Sequence, residues 1–298
     1  MTPDPQDDPR DARPPPPMAE VIDRLDRAAI LARRDPLRSG NLIHLPQKDD
    51  VVILGDIHGD RENFERVLDW AALHLHKKRY LVIQELIHGG PRDAGGGDLS
   101  FRLLEDAARL KCRFQSQVQM VLSNHDLCEV LGSSVKKAGK DVSEPFRRGI
   151  GSAYGQDWPE VLNAYRRFLS ALPLAVRTPS GIFISHSTPQ RSALAGFDYS
   201  IFERPPTMDD YLPGGSVYEL VWGRNHDQTA ADEFARHVGA EILVTGHQTS
   251  LPGVKTPTSR HIILTSDGPL GRFLTLRLNV RAPYHVVLRQ AMKIRSLP

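Results

Sequence analysis

The strongest constraint on this chain is a short apolar run that ends on ligand-capable side chains. In Val51-Val-Ile-Leu-Gly-Asp-Ile-His-Gly59 a β-branched stretch stops at Gly55 and delivers Asp56 and His58, two residues apart, into a turn. The run reads as a buried strand. Asp60 then suits the N-cap of a helix whose apolar face includes Phe64, Val67 and Leu68. In an α/β sheet, ligand crevices form at the carboxyl ends of strands. A carboxylate and an imidazole placed there suit Mn²⁺, Fe or Zn²⁺. Taken alone, the turn also admits a purely structural reading, in which Asp56 caps the helix.

Four more segments repeat the theme. Leu81-Val-Ile-Gln-Glu85 ends on a carboxylate. Val121-Leu-Ser-Asn124-His125-Asp126 puts an amide, an imidazole and a carboxylate in one turn. Ile182-Phe-Ile-Ser-His186 and Leu243-Val-Thr-Gly-His247 each end on an imidazole. A lone histidine is usually a surface or satisfied core residue, and His74, His76, His226, His237 and His285 are read that way. Several strand ends that all land on ligand types are harder to assign to packing alone.

The 298 residues are 40% hydrophobic and 25% charged, enough apolar material for a packed core. A formal net charge of +2 gives no nucleic-acid footprint. No apolar run has membrane-spanning length, and the N-terminus lacks the apolar segment of a secretory signal. Cys112 and Cys128 show neither a disulfide framework nor a metal spacing, so a reducing cytoplasm is the expected compartment. Residues 1–17, rich in Pro and Asp, are expected to be a disordered arm. Residues 18–298 are expected to be one domain that begins with an amphipathic helix over Met18 to Arg34.

Strands are expected at Asn41–Leu45, Val51–Leu54, Tyr80–Ile83, Val118–Leu122, Leu174–Arg177, Ile182–Ser185, Ile242–Thr245 and His261–Thr265. Two more fall within Arg272–Leu278 and His285–Leu288. Helices fit Arg61–His74, Leu99–Lys111, Trp158–Ala171 and Ala230–Val238. Parallel-type alternation followed by a β-rich second half implies an α/β domain with two packed sheets covered by helices. The basic run Leu131 to Gly155 reads as a solvated face, or as a field that attracts anionic substrates.

In order, these segments resemble the calcineurin-like metallophosphoesterases, and within them the phosphoprotein phosphatase (PPP) Ser/Thr phosphatases and their bacterial relatives. The family pattern is G-D-x-H-G, G-D-x-x-D-R-G, G-N-H-E/D, a strand-borne His, then G-H. The matches here are Gly55–Gly59, a degenerate Gln84–Gly90, Ser123–Asp126, His186 and Gly246-His247. Phe168-Leu-Ser-Ala-Leu-Pro173 and Trp222-Gly-Arg224 add to the likeness. The resemblance implies a β-sandwich of two mixed sheets flanked by helices, and two divalent metal ions, with Mn first and Fe or Zn as options. Asp56 and His58 would hold one ion, and Asn124, His186 and His247 the other. Glu85 falls at the bridging position. The implied reaction is attack on phosphorus by a metal-activated water. His125 would be the general acid, and Asp126 would orient its ring.

Gln84-Glu-Leu-Ile-His-Gly-Gly90 departs from that pattern. Glu85 stands for the bridging Asp, His88 for the second Asp, and Gly89 for the phosphate-binding Arg. Arg92 and Arg224 are the candidates to replace that Arg. His88 is either a new polar contact in the pocket or a replacement orienting partner. The expected activity is hydrolysis of phosphomonoesters on a protein or a small molecule. The alternatives are a dinucleoside polyphosphate or nucleotide hydrolase, and a phosphatase-like binding protein without turnover.

Overall fold

The computed structural model describes residues 14–297 except 48 and 138, so most of the expected N-terminal arm lies outside the described residues. Two sheets carry the architecture. One has five strands in the order Ala291–Lys293, Arg272–Arg277, Asp50–Leu54, Tyr80–Ile83 and Val118–Met120. The last three run parallel and the first two pairings are antiparallel. The other has seven, in the order Arg38–Ser39, Leu42–His44, Ala175–Arg177, Ile182–Ser185, Ile242–Thr245, His261–Leu264 and Val254–Thr258.

Strand periodicity explains how the layers form. Val51 and Ile53 join a core with Ile184, Val244 and Ile262, between the sheets. Val52 and Leu54, on the opposite face, pack with the helical residues Phe64, Val67 and Leu104. Such double-sided burial requires apolar residues at every position of the strand. Each fully buried Ile or Val stabilises the fold by roughly 1.5–3 kcal/mol. The helices Arg61–Ala71, Phe101–Phe114, Trp158–Leu169 and Gln228–His237 lie where amphipathic periodicity placed them, with ends shifted by a few residues. The N-terminal helix Met18–Arg33 buries Val21, Leu25 and Ala29. No helix among the described residues is long and apolar enough to cross a membrane.

Two expectations need correction. His285–Leu288 is not a strand: Tyr284–Leu288 is a short helix entered from Pro283. A five-residue apolar run cannot separate strand from helix by periodicity, and a proline ahead of it favours the helix start. The strand that closes the sheet is Ala291–Lys293, paired with Arg272–Leu274. Secondly, the run Leu131 to Gly155 is not simply a solvated face. It holds a helix, Ser143–Tyr154, which buries Phe146 and Ile150, and Arg147 reaches inward to Glu129. Cys112 is half-buried against the core, its Sγ 3.5 Å from the Arg24 carbonyl, and Cys128 is buried; both are free thiols, as the spacing implied.

Candidate active site

The parallel strand ends deliver the expected residues to one place. After Asp50–Leu54 the chain turns at Asp56, whose carbonyl accepts the Ser266 amide at 2.9 Å. The Ile57 amide donates to the Glu85 carbonyl at 2.8 Å, tying this turn to the end of Tyr80–Ile83. Asp60, not Asp56, caps the following helix, accepting the Asn63 amide at 3.0 Å. Asp56 is therefore not occupied with capping. Its Oδ2 accepts the His247 amide at 2.7 Å, which links the two sheets. A Cβ on Gly246 would overlap the Asp56 carboxylate, so only glycine permits this approach.

Asn124 and His125 lie in the first turn of a helix, Asn124–Leu131, that periodicity did not indicate. It opens with a capping box: Ser123 Oγ accepts the Asp126 amide at 3.1 Å, and Asp126 Oδ2 accepts the Ser123 amide at 2.9 Å. The Leu122 amide donates to the Pro173 carbonyl at 2.9 Å, so the Leu-Pro junction steadies this turn.

The side chains converge, all buried. His186 Nε2 lies 2.7 Å from Asn124 Oδ1, 3.1 Å from Glu85 Oε2 and 3.2 Å from His247 Nδ1. His247 Nδ1 lies 2.9 Å from Asn124 Oδ1. His58 Nδ1 and His125 Nδ1 lie 3.4 Å and 3.0 Å from Glu85 Oε1. His186 Nδ1 is 3.6 Å from Asp56 Oδ1. Two ligand groups result, His58–Glu85–His125 and Asp56–Glu85–His186, each with its ligand atoms within 4.8 Å of one another. Glu85 belongs to both.

Electrostatics explain what this donor set suits. Burial drives the pKa of His186 down and that of His247 well below the usual imidazole range. Both rings are neutral and offer lone pairs. A neutral imidazole carries one N–H, too few for the three polar atoms gathered around His186 Nε2. A divalent cation among these nitrogens and oxygens fits the set. Burial alone would raise the Glu85 pKa, but the imidazoles of His125 and His58 outweigh it and hold the carboxyl well below its ordinary range. His58, His88 and His247 all have positive φ, at 46°, 65° and 66°. Such backbone costs a side-chain-bearing residue roughly 1–2 kcal/mol. Three instances on ligand-bearing turns mark a site that the packed sheets hold in place.

The other expected residues divide. Asp126 is buried and burial, reinforced by the Glu85 charge, pushes its pKa up to about 6. Its carboxylate faces the Ser123 amide, and no hydrogen bond joins it to the His125 ring among the described residues. Arg224 is exposed at the rim, its Nη1 3.4 Å from the His247 carbonyl. Arg92 is exposed in the loop after Gly90, where it pairs by a β-bridge with Asp98 rather than with the ligand groups. His88 is fully buried against His125, their Nδ1 atoms 3.0 Å apart. Sequence reasoning missed Glu129, buried 3.3 Å from His88 Nε2. Its signal was present: Glu129 lies one helical turn beyond His125, behind the Ser123-x-x-Asp126 cap.

The family model for calcineurin-like phosphoesterases matches residues 50–250. No curated protein matches the chain in sequence. Among solved structures, a protein serine/threonine phosphatase from Saccharomyces cerevisiae, described as similar to a human phosphatase, aligns with a TM-score of 0.64 at 16% identity, covering 87% of this chain and 82% of that one. A cold-active protein tyrosine phosphatase aligns at 0.54 and 13%, covering 86% and 80%. A cold-active protein-tyrosine phosphatase of a psychrophilic Shewanella species aligns at 0.50 and 14%, covering 86% and 82%. At such identities the likeness is one of fold. The family match spans more than half of the chain and includes every strand end that carries a ligand-capable residue, so this protein belongs to the calcineurin-like phosphoesterases and is a metal-dependent hydrolase.

Proposed function

We propose that this protein is a phosphatase that hydrolyses phosphomonoesters on a phosphorylated protein or small molecule, with two divalent cations, Mn²⁺ first among them. Asp56 and His58 would hold one cation and Asn124, His186 and His247 the other, with Glu85 available to both. Its place in both ligand groups is the observation that carries the reading. Bound there, the cations supply electrophilic pull on the phosphate oxygens and a nucleophilic water at neutral pH.

The chain's own residues do the rest. His125 hands a proton to the leaving oxygen. It sits in the first turn of its helix, where the helix dipole favours an approaching anion. Arg224, at the rim, grips a non-bridging phosphate oxygen as a charged donor.

The test is product analysis with Mn²⁺ present. Release of inorganic phosphate from p-nitrophenyl phosphate and from phosphopeptides is expected. Nucleotide products from a dinucleoside polyphosphate, without phosphomonoester turnover, would move the reading to a nucleotide hydrolase. Absence of both activities in metal-loaded protein would make it a binding protein.

A further inference from the structure

The loop that carries His247 goes on to organise two cations at the edge of the site. Gln248, the next residue, is fixed through its backbone. Its amide donates to the Gly246 carbonyl at 2.8 Å, and its carbonyl accepts the Thr265 hydroxyl at 3.4 Å. Its carboxamide reaches in two directions. Nε2 donates to the Arg224 carbonyl at 3.1 Å, and Oε1 accepts Lys255 Nζ at 2.9 Å. Arg224 in turn donates through Nη1 to the His247 carbonyl at 3.4 Å.

Both cations are exposed. Burial, then the charges of Lys255 and Arg224, lower the pKa of His226, so the two positive charges converge beside that ring. Asp227, the carboxylate nearest to Arg224 in sequence, is turned elsewhere, to Arg191 and the Ala230 amide. Lys255 belongs to Val254–Thr258, the edge strand of the seven-stranded sheet. A lysine on an edge strand commonly keeps other strands from pairing there. Pro257 and the register shift before Thr258 already blunt this edge. The hydrogen bond to Gln248 instead holds the Lys255 charge on the side of Arg224.

We propose that Lys255, held by Gln248 beside Arg224, binds a second anionic group of the substrate, a carboxylate next to the scissile phosphate, and so selects acidic phosphopeptides. With Arg224 on the phosphate, Lys255 meets the neighbouring acidic side chain one carboxamide further out. Side chains on one face of an extended peptide recur about every 7 Å, a step that suits two cations separated by a carboxamide. The proposal rests on the phosphomonoesterase reading, and its test separates the two.

The measurement is kcat/KM of the Mn²⁺-loaded enzyme on pairs of phosphopeptides, phosphoserine or phosphotyrosine, identical except for glutamate or alanine on both sides of the phosphorylated residue. The glutamate peptides are expected to be preferred by roughly 3- to 5-fold, the size of an exposed ion pair, and the preference is expected to fade as salt is raised. Lys255→Ala should abolish the preference and Lys255→Glu invert it. Turnover of both peptides without preference, or a preference that survives in Lys255→Glu, overturns the subsite and leaves Lys255 as a guard of the sheet edge. Turnover of p-nitrophenyl phosphate without turnover of any peptide overturns the peptide assignment. If none of these esters is hydrolysed, the phosphatase reading itself falls, and the subsite with it.

Discussion

Two pairs of histidines beside the seven-stranded sheet have nearly the same geometry. His186 and His247 meet edge-to-face at 5.0 Å and 68°, and His226 and His261 at 4.7 Å and 64°. Burial lowers the pKa of every ring in both pairs. What differs is the company. Asn124 Oδ1 and the carboxylates of Glu85 and Asp56 surround the first pair. The second has hydroxyls, Thr188 at 3.1 Å from His226 and Thr245 at 2.8 Å from His261, with the cationic Lys255 nearby. His186 belongs to a ligand group, whereas neither His226 nor His261 does among the described residues. A metal site is therefore made by converging anionic oxygens, and buried imidazoles alone do not define one.

The largest effect expected on the ligand side is at His125. His125→Ala should lower kcat by roughly 10²- to 10⁴-fold with metal content unchanged. Metal loss in that variant would make His125, already a member of the His58–Glu85–His125 group, a ligand in place of a general acid. Next, Glu85→Gln should weaken at least one metal by more than the roughly 10- to 100-fold that loss of an outer partner costs. Glu85→Asp should keep or improve activity. Silence of both changes would remove Glu85 from the metals. Arg224→Ala should raise KM by roughly 10-fold, the worth of one charged contact with the phosphate.

The smallest effect belongs to the second pair. His226 has a folded-state pKa of about 4 against 6.5 in the unfolded chain, chiefly from burial. The unfolded state thus binds more protons between these values, and stability falls as pH drops below 6.5. From pH 7.5 to 5.5 this residue alone should cost about 1 kcal/mol, read from urea midpoints. His226→Asn should flatten that dependence and leave metal content unchanged. A loss of metal in His226→Asn would break the distinction between the pairs.

Much of this was legible because the two signals coincided. Tyr80–Ile83, Ile182–Ser185 and Ile242–Thr245 are uninterrupted apolar runs that end on polar residues, and the strands have those bounds. Val254–Thr258 escaped notice because Pro257 interrupts it. Its place at the sheet edge, with a register shift before Thr258, is where a proline is tolerated. Asn124–Leu131 was read only as a turn of ligands, and with the helix unseen Glu129 could not be placed behind His125. The pairing of Asp126 with Ser123 shows the same limit. Motif position assigns residues to a site, but which neighbour a carboxylate faces is decided by tertiary packing.

Metal stoichiometry tests the shared-carboxylate centre most directly. Chain loaded with Mn²⁺, freed of excess ion and analysed for metal should carry two equivalents per chain, falling to one or none in Glu85→Gln, with p-nitrophenyl phosphate turnover lost in parallel. Purified protein that retains no metal yet releases phosphate, or Glu85→Gln that keeps both equivalents, would contradict it.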